Sequence, residues 1–158
     1  MSNLIELLFE GVAKNKVDSF VVRMSDEATL KSVAVSESSD LDLRSWQGRV
    51  LEILESAAPK PSCVSLNLNR VELGEVTLTN PLIQVLMHDG NVDVSLSFLD
   101  SEISCDTADC VNALHHACLD ISRVVDARAI ICGYEPVSDQ KTRFFTGATQ
   151  GPLRRFWE

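Results

Sequence analysis

The centre of the chain, residues 62–99, alternates apolar and polar side chains with a period of two and contains one strong turn signal. Over residues 64–69 every second residue is valine or leucine, and the residues between them are serine or asparagine. This period places all the apolar side chains on one face of a strand. Asp89 and Gly90 suit the two central positions of a tight hairpin turn, which need positive φ. The centre therefore predicts antiparallel strands with one buried face and one face in water.

Two other stretches carry the period of a helix. Residues 41–57 place their apolar side chains on one stripe, with Asp40 as N-cap and prolines just beyond the last residue. Residues 107–126 repeat apolar side chains at alternating spacings of three and four, with Asp106 or Thr107 as N-cap. Both stretches predict helices that bury one face.

The remaining stretches give weaker patterns. Leucines at helical spacing predict a short helix over residues 4–15, and valine-rich runs predict strands over 17–24 and 29–36. A buried strand is expected over 127–132, and a last short strand over 142–146. The two early strands are separated by a turn-like polar stretch.

Together these elements predict an α+β fold. We expect an antiparallel or mixed sheet of about five to seven strands, with two or three helices packed mainly on one face. The length of 158 residues suits one domain, which we place at residues 1–140. Residues 141–158 hold four Lys or Arg residues among aromatic ones, and we expect them to form a tail docked on the acidic domain.

The charge is strongly uneven. The chain has 14 basic and 23 acidic residues, a net charge of −9, and no lysine or arginine lies between Arg70 and Arg123. A field of one sign repels phosphate backbones and lipid headgroups and attracts cations. We therefore expect a basic protein partner, with neither direct nucleic-acid binding nor membrane binding. An acidic surface also serves solubility alone, and that interpretation stays open here.

Five cysteines and an N-terminus without a secretory signal favour a cytoplasmic location. The odd number of cysteines and the length of the chain are untypical of a disulfide scaffold. We therefore expect buried thiols.

Motifs for chemistry are missing from the sequence. Three cysteines and two histidines fall within residues 105–118, but without the paired spacings of a zinc site. The glycines occur singly, without the spacing of a phosphate-binding loop, and no nucleophile elbow occurs. We predict no catalytic residue, no metal ion and no cofactor.

In size, charge, α+β pattern and its acid-only interval from Glu72 to Asp120, the chain resembles a class of small proteins. These are the cytoplasmic immunity proteins that bacteria keep against polymorphic or contact-dependent toxins. The resemblance implies a non-catalytic protein that neutralises a basic toxin, such as a nuclease, by occluding its active site. The binding face would then use acids around the hairpin and the start of the second strong helix, and Asp93 should be exposed. These acids are Asp89, Asp93, Asp100, Glu102, Asp106 and Asp109.

Two other functions remain open at this stage. One is a subunit or adaptor of a homo-oligomeric assembly, such as a homodimer that buries a strand edge or the aromatic tail. The other is a small enzyme with dispersed catalytic residues, which would need a single pocket where histidines or cysteines meet carboxylates.

Overall fold

A computed structural model describes residues 2–25, 30–35, 46–107 and 109–153. The described helices are α1 (Lys14–Met24), α2 (Val50–Ser56) and α3 (Cys110–Val124). Short 3₁₀ helices cover Asp100–Glu102 and Gln140–Thr142. The strands are β1 (Leu4–Glu10), β2 (Leu30–Val35), β3 (Ser62–Leu68), β4 (Arg70–Leu73), β5 (Val76–Thr79), β6 (Leu82–His88), β7 (Asn91–Leu99), β8 (Ile103–Cys105), β9 (Ala129–Tyr134), β10 (Arg143–Thr146) and β11 (Thr149–Gln150).

Eight strands form the main sheet, in the order β11-β10-β9-β1-β7-β6-β3-β2, and every pair is antiparallel. Strand β1 lies at the centre, where Leu7 is opposite Leu96 on β7 and Cys132 on β9. The predicted hairpin joins β6 to β7, and both Asp89 and Gly90 have positive φ there. The strongest local signal in the sequence is therefore confirmed.

The second sheet, β4-β5-β8, continues three strands of the main sheet. Strands β3, β6 and β7 are each interrupted for a few residues. Beyond the interruption β4, β5 and β8 continue them as a three-stranded ribbon. At the interruption the Asn80 N–H donates to the Asn69 carbonyl at 2.8 Å. Beyond it the ribbon packs on α3, where a Cβ on Gly74 would lie 3.1 Å from that of Ala117.

All three helices pack against the same face of the main sheet. Phe20 of α1 meets Phe9 of β1 edge to face at 5.3 Å. The Ser62 hydroxyl on β3 donates to the carbonyl of Leu54 in α2. A stacked pair, His115 on Phe145, joins α3 to β10. The strand register puts these sheet residues on one side, so the other side carries no described helix.

The predicted class is confirmed as α+β, with a mostly antiparallel sheet and helices on one face. The strand number is higher than expected, with eight strands in one sheet and three in the other. The number is higher partly because β3, β6 and β7 are interrupted, so that their continuations count as separate strands of a second sheet. The expected strands at 29–36, 127–132 and 142–146 are confirmed as β2, β9 and β10.

The helix expected over residues 4–15 is wrong, because residues 4–10 form β1. Ile5, Leu7 and Phe9 alternate with polar or half-buried neighbours, so the segment also fits the period of a strand. Pairing with β7 and β9 satisfies its backbone on both sides. Tertiary pairing of this kind overrides a weak local preference for helix.

The strand expected over residues 17–24 is also wrong, because these residues lie in α1. Val17, Phe20, Val21 and Met24 are all buried. Their spacings of three, one and three place them on one helical face, which packs on the sheet. The valines misled the prediction because β-branched residues favour strands only weakly and tolerate helices.

The two stronger helices are shorter than predicted. Of the stretch 41–57, residues 50–56 form α2, while residues 41–45 and the expected Asp40 cap lie outside the described residues. Helix α3 begins at Cys110, and its cap is Asp109 rather than Asp106 or Thr107. The Asp109 carboxylate accepts a bond from the Asn112 N–H at 2.9 Å.

The C-terminal segment enters the main sheet. Strand β10 pairs with β9, and Phe144 and Phe145 are buried. Phe144 also meets Tyr134 edge to face at 5.0 Å. Residues 154–158, the end of the expected tail, lie outside the described residues, and their docking stays a prediction.

Candidate partner-binding surface

The six acids expected at the partner face fall into two groups. Asp89 and Asp93 lie at the hairpin end of β7. The other four lie at or beyond the opposite end of β7 and at the start of α3. Residues 94–99 of β7 lie between Asp93 and Asp100, and they separate the groups by about 23 Å. The acids are therefore spread over a large part of the molecule and do not form one cluster.

Asp93 is not exposed as expected, since its side chain is 19% exposed. One carboxylate oxygen accepts a bond from the Gly11 backbone N–H at 2.9 Å. The other lies 3.3 Å from Nε2 of His88 on the neighbouring strand. The sequence overestimated the exposure of Asp93 because β1 ends beside it. The N–H of Gly11, the first residue after β1, needs an acceptor there, and the Asp93 carboxylate provides it.

Three further acids also hold backbone groups. Asp100 accepts from the N–H of Asn3 at 3.2 Å, and Glu102 accepts from the N–H of Leu99 at 3.0 Å. Asp109 caps α3 as described above. Their negative charge is available to a partner, but it also stabilises the fold. Asp89 and Asp106 are exposed and so are better suited to test binding alone.

A groove runs between the β4–β5 turn and α3, which we call the α3 groove. It encloses about 410 Å³, and Glu75, Asp109 and Asp120 supply its carboxylates. His116 also lines it. Glu75 and Asp120 were not among the predicted site residues, because only the tertiary packing of the turn on α3 brings them beside Asp109.

The helix-free side of the main sheet is a second surface, which we call the open face. It consists of the side chains on β1, β7, β6 and β3 that alternate with the buried ones. It carries acids on the two central strands: Glu6, Glu10 and Asp93. No lysine or arginine occurs in any of these four strands. Glu6 and Glu10 were not predicted as site residues because their segment was expected to be a helix.

The cysteine and histidine cluster is dispersed by the fold. Cys105 and Cys110 form a disulfide with a Cα–Cα distance of 5.7 Å, so the expectation that all five cysteines are thiols is wrong. The pair connects β8 to the first residue of α3, two segments that the sequence could not place side by side. His115 is buried and donates from Nε2 to the Gly147 carbonyl at 2.6 Å. It is therefore a core histidine.

Two buried thiols, Cys118 and Cys132, face each other across the core between α3 and β9. Burial, with a smaller effect of Cys132, raises the pKa of Cys118 well above its usual range. Burial, with a smaller effect of Glu6, raises the pKa of Cys132. Both thiols stay protonated, so neither is an activated nucleophile. Among the described residues, no three metal-ligating side chains lie close enough to hold an ion.

Comparisons with known proteins identify a family and a solved structure with the same fold. Residues 3–150 match the family model of the PABL017 Cdi1I immunity protein, and the chain belongs to this family. The resemblance to immunity proteins of contact-dependent toxin systems is thereby confirmed. No curated protein matches the chain.

A solved structure shares the fold. It is a chain of the 1.75 Å crystal structure of the toxic C-terminal tip of CdiA from Pseudomonas aeruginosa in complex with immune protein. The two chains superpose with a TM-score of 0.78 at 24% sequence identity. The match covers 97% of this chain and 99% of that chain. In the part of this chain that the structure describes, no helix combines the length and apolar character needed to cross a bilayer.

Proposed function

We propose that this chain binds the toxic tip of a CdiA-type protein and neutralises it by covering the toxin's active site. The observation that carries the proposal is the family match over residues 3–150. The fold shared with a chain from a toxin–immunity complex supports it. Protection by a tightly bound partner needs no chemistry from the immunity protein itself.

The acidic charge supports a basic toxin surface as the target. The net charge of −9 and the acid-only interval from Glu72 to Asp120 create a field that speeds the approach of a cation-rich partner. Enzymes that cleave nucleic acid bind a polyanion and so carry such basic clefts. We infer that the toxin is a nuclease and that neutralisation takes place in the cytoplasm, where its substrates are.

The six acids are proposed to contribute in two ways. All of them add to the long-range field that steers the toxin. Only those at the contact itself would also slow dissociation. Asp89 and Asp106 separate these contributions because they lie in different groups and are exposed.

The test uses two toxin tips: the Pseudomonas aeruginosa CdiA tip and the tip of the CdiA-type protein from the organism that makes this chain, here called the cognate tip. Binding of the wild-type chain is compared with that of Asp89→Asn and Asp106→Lys over a range of salt concentrations. Asn is chosen at 89 because that residue has positive φ. Glu52→Lys on the exposed surface of α2 is the control for a change of charge away from both groups.

We expect the wild-type chain to bind the cognate tip and abolish its cleavage of nucleic acid. Both acid variants should associate several-fold more slowly at low salt and show a weaker dependence on salt. Glu52→Lys should have a smaller effect. A cognate tip that keeps full activity in the presence of excess wild-type chain would overturn the proposed function.

A further inference from the structure

We propose that the toxin tip seats on the open face of the main sheet, over β1, β7, β6 and β3. This inference rests on the proposed function and adds the surface and the chemistry of the partner. The matching toxin surface would present apolar side chains surrounded by lysine or arginine. The α3 groove would then lie outside the contact.

Exposed apolar side chains favour this face. Leu4 and Leu99 are direct neighbours across the β1–β7 pair and are 36% and 37% exposed. Leu86 on β6 is also 36% exposed. Three of the five large apolar residues that are exposed in the described part of the chain thus lie on the open face. Leu4 and Leu99 lie at one end of the face, and Leu86, opposite Asp93, lies near the hairpin at the other end. Exposed apolar side chains within a polar surface are typical of a binding site.

The charge of the face is of one sign. Glu10 on β1 lies near Asp93 on β7, Glu6 is opposite Ser97, and the four strands carry no lysine or arginine. The helical side differs, because α1 alone carries Lys14, Lys16 and Arg23 against a single acid. A basic partner would be attracted to the open face and repelled by part of the opposite side.

The size of the face suits a stable complex. Strands of about seven residues span about 23 Å, and the four strands of the open face span about 19 Å across. The resulting area of roughly 440 Å² is more than half of the ~800 Å² that one partner usually contributes to a specific interface.

The centre of the face is rigid and polar. Ser95 lies between Leu8 and Gln84 on the neighbouring strands, and Gln84 is also opposite Ser65. Backbone groups in these strands are held in the ladder, so binding would order few groups and lose little entropy. Ser95 is only 3% exposed. The half-buried Gln84 amide is therefore the group at this centre that can exchange hydrogen bonds with the toxin.

The experiment introduces a long, positively charged side chain at the centre of the open face. Gln84→Arg is compared with Gln47→Arg, the same substitution at an exposed position just before α2 on the helical side. Both variants are first checked for an unchanged unfolding temperature. Binding to the cognate tip is then measured as separate association and dissociation rates.

We expect Gln84→Arg to raise the Kd about 30-fold or more, mainly through faster dissociation, since central contacts dominate binding. Gln47→Arg should bind as the wild-type chain does. Equal binding by both variants, with the wild-type chain still binding, would overturn this inference and leave the proposed function intact. Failure of the wild-type chain to bind would overturn both.

A second measurement needs no substitution on the face. Cys63 lies on the open-face side of β3, beside Leu86, and its side chain is half-buried. Bound toxin should slow the alkylation of this thiol at least tenfold relative to the isolated chain. An unchanged rate in the saturated complex would contradict the proposal.

The solution mass of the isolated chain provides the remaining check. A monomer is expected, with the open face available to the toxin. A stable dimer that Gln84→Arg converts to monomers would assign the face to a second copy of this chain and overturn the proposal.

Discussion

The carboxylate of Asp93 accepts a hydrogen bond from the backbone N–H of Gly11, although 82 positions separate the two residues. Gly11 follows the last residue of β1 and has a φ of +60°. The contact fixes the end of β1 against β7, near the hairpin. One acid thus has two uses, since it stabilises the central strand pair and contributes charge to the open face.

Loss of this carboxylate should destabilise the fold. Asp93→Ala leaves the partly buried Gly11 N–H without its acceptor, and we expect the free energy of unfolding to fall by about 1 kcal/mol. Asp93→Asn keeps an oxygen acceptor and should cost less. Urea unfolding measures both, with Asp89→Asn at the exposed turn as control. Equal stability of Asp93→Ala and the wild-type chain would show that the contact contributes nothing.

Gly133 should not tolerate a side chain. A Cβ there would lie 2.7 Å from the Cα of Arg143, where β9 and β10 pair closely. We expect Gly133→Ala to lower the free energy of unfolding by about 3 kcal/mol, because backbone must move. Gly90→Ala has open space but a φ of +75°, so it should cost only about 1 kcal/mol. Thermal unfolding of the two variants compares the cost of a steric clash with that of backbone strain. Equal losses of unfolding free energy would argue against the close approach of β9 and β10 at Gly133.

The disulfide predicts a thiol count. With Cys105 and Cys110 joined, three of the five cysteines should react after unfolding without reductant, and all five should react after reduction. Closure of so short a loop should stabilise the fold by about 2 kcal/mol. Cys105→Ser combined with Cys110→Ser should therefore unfold at lower urea concentration than the oxidised wild-type chain. A count of five thiols before reduction would exclude the disulfide.

Stability should fall at alkaline pH. In the unfolded chain Cys118 and Cys132 ionise near pH 9, whereas burial raises the pKa of both thiols in the folded chain. Above pH 9 the unfolded state loses protons that the folded state keeps, so the free energy of unfolding decreases. The loss is about 1.4 kcal/mol per pH unit for each thiol. Cys118→Ala should show a shallower decrease, whereas Ile121→Val, a core change without a thiol, should keep the wild-type slope.

Local patterns predicted the elements whose evidence is local. The alternation over residues 64–69 and the turn at Asp89 and Gly90 are properties of neighbouring residues, and they indicated β3 and the β6–β7 hairpin. The spacing of apolar residues likewise indicated α3, although its cap was misplaced by a few residues. Several acids lay close enough to compete for that cap, and only the final backbone geometry selects Asp109.

Partners distant in sequence decided the rest. The apolar pattern of residues 4–10 fits a helix or a strand equally well. They form a strand because their backbone pairs with β7 on one side and with β9 on the other. That choice also turned Glu6 and Glu10 toward the open face, where a sequence-based site prediction had not placed them. The α3 groove depends in the same way on the packing of the β4-β5-β8 ribbon on α3. The disulfide spans only five positions, but it also requires the end of β8 to lie beside the start of α3.

Composition and short-range spacing were enough to predict the α+β class, the acid-only interval and a protein that works by binding, because short stretches of the chain carry these features. Which acids share a surface depends on the packing of distant segments. Four of the six predicted acids hold backbone groups, since an N–H outside the strand ladders and helix interiors takes an acceptor wherever the fold places it. The position of a surface charge depends on strand pairing over many tens of residues, and no local pattern encodes that pairing.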